Sequence, residues 1–161
     1  PTFEILGRVT RKVSEPALGL EGYEGSVVKI ASAPFCIKYM RDVLSWVRQE
    51  GRVKDWFSTL SYVEGKPRLT LFIEAEGVKR RDKFKEEILQ HIGEHTELAL
   101  VAMVIKLGMA DLKIEFISKG TLDKVRDEKL RRLETGNATL GQLKIPKLVL
   151  STDYFGKQRP F

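Results

Sequence analysis

Two stretches of the chain alternate cleanly between apolar and polar positions, and they frame what lies between them. In residues 69–76, Leu69, Leu71, Ile73 and Ala75 take one parity while Thr70, Phe72, Glu74 and Glu76 take the other, the period of a half-buried strand. Residues 56–63 form a similar run just upstream, and Glu64-Gly65-Lys66-Pro67 between the two predicts a hairpin. A proline there suits the start or the edge of a strand, because it has no N–H to give to a ladder. Further on, Leu112, Ile114 and Phe116 alternate with Lys113 and Glu115, which predicts a third strand sharing the same sheet.

Helical spacing fills the intervals. Ser32 as a cap and Pro34 within a first turn predict a helix over 33–49, with Cys36, Met40, Val43 and Val47 on one face and Ile37, Leu44 and Trp46 widening it. A charged opening at Lys79 to Lys85 leads a second helix, buried through Phe84, Ile88 and Ile92 and interrupted at Gly93-Glu94-His95-Thr96. A far more apolar helix follows over 97–107 and is expected to be buried; Gly108 closes it. After the third strand, Thr121 is placed to cap a helix with Asp123 in its first turn. Leu122, Val125, Leu130 and Leu133 share one side of that helix, Asp127–Arg131 and Glu128–Arg132 are acid-before-base pairs, and Gly136 is a left-handed stop. Near the start of the chain, residues 3–9 read as a strand broken by Gly7, 14–25 as a loop and 26–30 as a short strand. Together these elements predict an α+β fold, an open, mainly antiparallel sheet packed by helices.

Composition narrows the classes. At 161 residues the chain is long enough for one hydrophobic core, and 42% hydrophobic with 31% charged residues is ordinary for a soluble domain. The net charge of +6 is scattered. Lys79-Arg80-Arg81 is interleaved with Asp82, Glu86 and Glu87, which reads as a solvated helix start, and no aromatic-basic platform favours nucleic acid. The single Cys36 cannot form an internal disulfide; an inert thiol in a helix fits a cytoplasmic location. No apolar run reaches membrane-spanning length, so no membrane partner is expected. The chain does not begin with methionine, as expected of a fragment or a processed product.

Few side chains carry recognisable chemistry. His91 and His95 are one helical turn apart but lack the further ligands of a zinc site, so two exposed histidines and no metal are expected. There is no phosphate-binding P-loop, no G-x-G-x-x-G and no Ser-His-Asp arrangement. Lys144, between Leu143 and the Ile145-Pro146 step, is either a functional lysine or a solvated loop residue.

The run from Asp111 to Leu150 resembles the end of the acyl acid amido synthetases, the family of the plant auxin- and jasmonate-conjugating enzymes and their microbial relatives. That family shows a hydrophobic strand, a G-T-F turn, a helix and then a G-Q-x-K-x-P-R segment. Here Gly120-Thr121-Leu122 and Gly141-Gln142-Leu143-Lys144-Ile145-Pro146-Lys147 stand in that order, with leucine for phenylalanine at 122 and lysine for arginine at 147. The family belongs to the adenylate-forming superfamily, with the acyl-CoA synthetases and phenylacetate-CoA ligases. Its members join a large N-terminal domain, which binds ATP and acid, to a small mobile C-terminal domain. Leu6-Gly7-Arg8 is similar to the triplet that closes the N-terminal domain ahead of the hinge.

The resemblance implies residues 1–13 as the end of that domain and hinge, 14–150 as the mobile domain and 151–161 as a tail. It implies Lys144 as the catalytic lysine, with Lys119 and Lys147 as lesser alternatives, and Arg8 and Gln142 as nucleotide contacts. The partners implied are an N-terminal adenylation domain, ATP with Mg²⁺, a carboxylic acid, and CoA or an amine as acceptor. By itself the chain is then not expected to be active, since most of the binding energy for catalysis lies elsewhere. The competing expectation is a non-catalytic α+β module that binds a small acidic ligand or a partner protein.

Overall fold

A computed structural model of the chain describes residues 5–6, 11–15, 20–24, 27–136 and 147–150. In chain order these form β1 (Ile5–Leu6), β2 (Arg11–Glu15), β3 (Leu20–Glu24), β4 (Val27–Ile30), β5 (Ala33–Cys36), α1 (Lys38–Trp46) and β6 (Arg52–Val63). Next come β7 (Lys66–Glu76), α2 (Arg81–Glu94), α3 (Ala99–Lys106), β8 (Asp111–Phe116), α4 (Thr121–Glu134) and β9 (Leu148–Leu150). The domain is α+β. Its six-stranded sheet runs β2-β3-β9-β6-β7-β8, and β1, β4 and β5 form a smaller antiparallel sheet. Most of the pairings are antiparallel, but β8 lies parallel to β7 and β9 parallel to β6.

The β6–β7 hairpin is at the heart of the larger sheet. Glu64 and Gly65 turn it with φ of 52° and 79°, the two left-handed residues that a tight two-residue hairpin requires. Its register pairs Trp56 with Ile73, Ser58 with Leu71 and Leu60 with Leu69, and β8 adds Leu112, Ile114 and Phe116 beside Leu69, Leu71 and Ile73. One face of three strands is thereby apolar, as the alternation predicts. Leu60, Leu69, Leu71 and Ile73 are wholly buried in a core with Met40, Val43 and Val47 from the α1 region, Phe84, Ile88 and Ile92 from α2, and Val101 from α3. Ile114 and Phe116 are partly buried against it. Pro67 is the second residue of β7, and β8 begins opposite Arg68, so the missing N–H leaves no gap in that ladder. On the other face Phe57 stacks on Phe72 at 4.6 Å, and α4 lies over Asp55 and Glu74.

Several expectations are corrected. Ala31 and Ser32 have φ of 47° and 71° and turn a second hairpin, so residues 33–36 are strand and the helix begins only at Lys38. The Ser-x-Pro signal thus marks a turn and an edge strand, where proline is tolerated, and Cys36 is buried in β5 rather than in a helix. Residues 14–25 hold most of the β2–β3 hairpin; its sequence lacks a clear alternation, and β3 gains its second partner from β9, far along the chain. The apolar segment over 98–107 is not a buried helix. Leu98, Val101 and Ala102 are buried, but Leu100, Met103 and Leu107 are 51%, 49% and 68% exposed, because a helix on one side of a core buries a single stripe. In α4 the same holds: Leu122 is buried while Val125 and Leu130 are exposed. Gly136 does end α4 in the left-handed conformation, with φ of 78°. Among the described residues no helix is long and apolar enough to cross a membrane.

Candidate functional site

Arg8, Gln142 and Lys144 lie outside the described residues. The two ends of the segment that holds Gln142 and Lys144 are described, and the downstream end is held firmly. The Lys147 carbonyl accepts both the backbone N–H of Ser58, at 2.8 Å, and its hydroxyl, at 2.6 Å. Ser58 is fully buried on the apolar face of β6, so its hydroxyl must find a partner, and Lys147 supplies it. The Lys147 ammonium donates to Asp55 Oδ1 at 3.0 Å and to the Trp56 carbonyl at 2.6 Å, and lies 4.8 Å from the centre of the Trp56 ring.

Asp55 is the hub of this cluster. The register between β6 and β7 shifts between Val53 and Asp55, a bulge that sets Asp55 opposite Glu74 on the face under α4. There it takes Lys147, the Arg126 guanidinium from α4 and the Trp56 N–H. Burial alone would push the Asp55 carboxyl up, but bonds from Arg126, Lys147 and the Trp56 amide outweigh it and hold the group below the usual carboxylate range. Lys147 is displaced downward: burial disfavours its ammonium more than Asp55 favours it, and Arg126 adds repulsion. The two displacements agree physically, since Asp55 gathers two cations, while Lys147 shares that one carboxylate with Arg126, which also holds Asp123 at 3.0 Å.

The turn before α4 is built by a second carboxylate. Glu74, buried in β7, accepts the Leu122 N–H at 2.7 Å and the Gly120 N–H at 3.4 Å, so the free amides of the helix start are met from the sheet. Thr121, expected as the cap, instead donates its hydroxyl to the Ser118 carbonyl at 2.6 Å. Lys119, the other alternative lysine, is strongly exposed and lies 3.5 Å from Glu76. The histidines are not the exposed pair that their spacing suggested. His95 Nδ1 accepts the Glu97 N–H at 3.2 Å, which leaves the proton on Nε2 for Asp42 at 3.1 Å, and Trp46 stacks on the ring at 5.6 Å. His91 sits between Glu94 at 3.2 Å and Glu87 at 3.6 Å. Among the described residues no group of three His, Cys, Asp or Glu side chains could hold a metal ion.

Sequence reasoning missed Asp55, Glu74 and Arg126. The signal present was weak: two acids on the polar parity of adjoining strands, one of them beside a tryptophan. Nothing local assigned them partners on α4. The cluster fastens α4 and the entry of β9 to the hairpin. Compared with protein-family models and with curated proteins, the chain matches none.

Proposed function

We propose that the chain is the mobile C-terminal domain of an acyl-adenylate-forming ligase, with Lys144 as the lysine delivered to the reacting phosphate. The observation that carries this reading is the order strand, turn, helix and lysine-bearing segment. It follows the motif order of the acyl acid amido synthetases, with Gly120 at the turn in the left-handed conformation and Lys147, the last motif residue, fixed to β6. Adenylation joins a carboxylate oxygen to the α-phosphate of ATP and expels pyrophosphate, so negative charge accumulates on acid, phosphate and leaving oxygens. A lysine aimed at that charge lowers the barrier by preorganised electrostatics. Lys147, three residues further along the sequence, is pinned to β6, and the long ammonium arm of a lysine suits entry into and exit from a partner domain's site. Lys147 itself suits the role poorly, since its ammonium is committed to Asp55 and Trp56. The resemblance implies Mg²⁺ bound with ATP on the N-terminal domain.

The test uses the ligase with its N-terminal domain present. Lys144→Ala should depress ATP–pyrophosphate exchange by about 10²–10³-fold, the loss expected for one transition-state contact. Transfer from pre-formed acyl-adenylate to CoA or an amine should be far less affected. Equal loss in both half-reactions, or exchange catalysed by this domain alone, sinks the reading.

A further inference from the structure

We propose that the end of the β6–β7 hairpin remote from its turn carries a second site, a cavity that binds an organic phosphate with two or more anionic groups. The cavity, of about 830 Å³, opens between the end of α1, the start of β6 and the end of β7. That volume is in the range of small-molecule sites. Val53, half-buried, gives it an apolar wall above the buried Leu44 and Val47, while Arg48, Arg52 and Lys79 line it with positive charge. Its one carboxylate, Glu76, is engaged by Lys54 at 3.3 Å and Lys119 at 3.5 Å. Among the described residues none of the three lining cations has a carboxylate partner, although Arg80 next door holds Glu50 at 2.9 Å. Unpaired like charges around a concave, partly apolar surface repel one another and concentrate counter-ions, and an anion seated there relieves that repulsion.

The cations also stand on backbone that is already fixed. Glu87, only 8% exposed, accepts three successive amides, Arg48 at 2.9 Å, Gln49 at 3.1 Å and Glu50 at 3.0 Å. The Lys79 N–H then ties that turn to the far side of the cavity through the Glu50 carbonyl at 3.2 Å. Gly51 permits the closeness: a Cβ there would stand 2.9 Å from Val78 Cγ2 and 3.2 Å from the Glu76 carbonyl. Little backbone ordering is therefore left to pay for on binding. Two guanidinium forks and an ammonium present more donors than one carboxylate can accept, whereas a phosphoanhydride offers oxygens enough for all three. The apolar wall takes the organic body.

The site does not depend on Lys144, and the experiment separates the two. Isothermal titration calorimetry of the chain with ADP, pyrophosphate and adenosine, at low and at moderate salt, should show ADP binding at least as tightly as pyrophosphate and adenosine scarcely at all. Affinity should fall as salt rises. Arg48→Ala with Arg52→Ala should weaken ADP by about tenfold or more, with an unchanged melting curve as the folding control, and Lys79→Ala should weaken it independently. Lys144→Ala should bind as wild type. No binding of ADP at millimolar concentration overturns the proposal, as does binding that survives the paired arginine substitutions. Adenosine or pyrophosphate binding better than ADP overturns the assigned ligand class. Loss of binding in Lys144→Ala would move the phosphate to the ligase site and leave the cavity without a ligand.

Discussion

At the scale of single residues, two carboxylates hold parts of the domain that the chain would otherwise leave loose. Asp55 gathers Lys147, Arg126 and the Trp56 amide, and Glu87 gathers the amides of residues 48–50 with His91 beside it. In both cases burial works against the charged form and hydrogen bonds to it prevail, so both carboxyls lie below their ordinary range. The unfolded chain then binds protons more readily than the folded one. The stability these groups contribute is complete above their unfolded values near pH 4 and is lost as pH falls through their lower native values. Urea unfolding followed against pH should therefore show a plateau above about pH 5 and a fall below about pH 4. Asp55→Asn and Glu87→Gln should each lower the plateau and flatten the acid limb. An unchanged acid limb in both variants would mean that other carboxylates govern acid unfolding.

At the scale of elements, α4 shows how a helix of weak amphipathic character is placed. Among its described side chains Leu122 is buried while Val125 and Leu130 are exposed, so these three form no continuous buried stripe. The helix is held at its start by Glu74 and one turn further on by Arg126 against Asp55. Replacing Glu74 by leucine leaves the Leu122 N–H without a partner in a buried place, and should cost about 1–3 kcal/mol. Amide hydrogen exchange should quicken in the first turn of α4 while α2 keeps its protection. Equal loss of protection in both helices would show that Glu74 supports the sheet rather than the cap. The contrast with α2 is instructive, because Phe84, Ile88 and Ile92 there are all buried, so a packed stripe adds to the bonds that Glu87 makes.

At the scale of the whole molecule, the core joins the apolar face of β6, β7 and β8 to the helices α1, α2 and α3 and takes in Val28, Ile30 and Phe35 of the smaller sheet and Leu148 of β9. Ile73 is at its centre, in register with Trp56 on one side and Phe116 on the other, and wholly buried. Ile73→Ala should cost about 2–5 kcal/mol, as a cavity in a packed core does. Leu107→Gln, on the exposed stripe that follows α3, should change stability by no more than about 0.5 kcal/mol. Chemical denaturation distinguishes them, and comparable losses would place Leu107 in a contact that the isolated chain does not show.

What the sequence determined by itself is everything whose signal is local. The hairpin, the strand over 111–116, the buried Met40, Val43 and Leu44 of α1 and the buried face of α2 follow from period-2 and period-3.6 patterns, because side chains a few residues apart report the same core. Trp46, expected on that α1 face, is 41% exposed, and the stop at Gly136 follows from glycine itself. Tertiary structure decided the rest. Ala31 and Ser32 form a hairpin turn because β4 and β5 pair, although the same residues carry helix-start signals. The β2–β3 hairpin is completed by β9, and Asp55 finds Arg126 and Lys147 across 71 and 92 residues of chain. The cavity of Arg48, Arg52 and Lys79 arises where three separate elements meet over Gly51. Backbone pairing and charge pairing between distant segments leave no periodic trace in either segment alone, so only the folded arrangement could assign these partners.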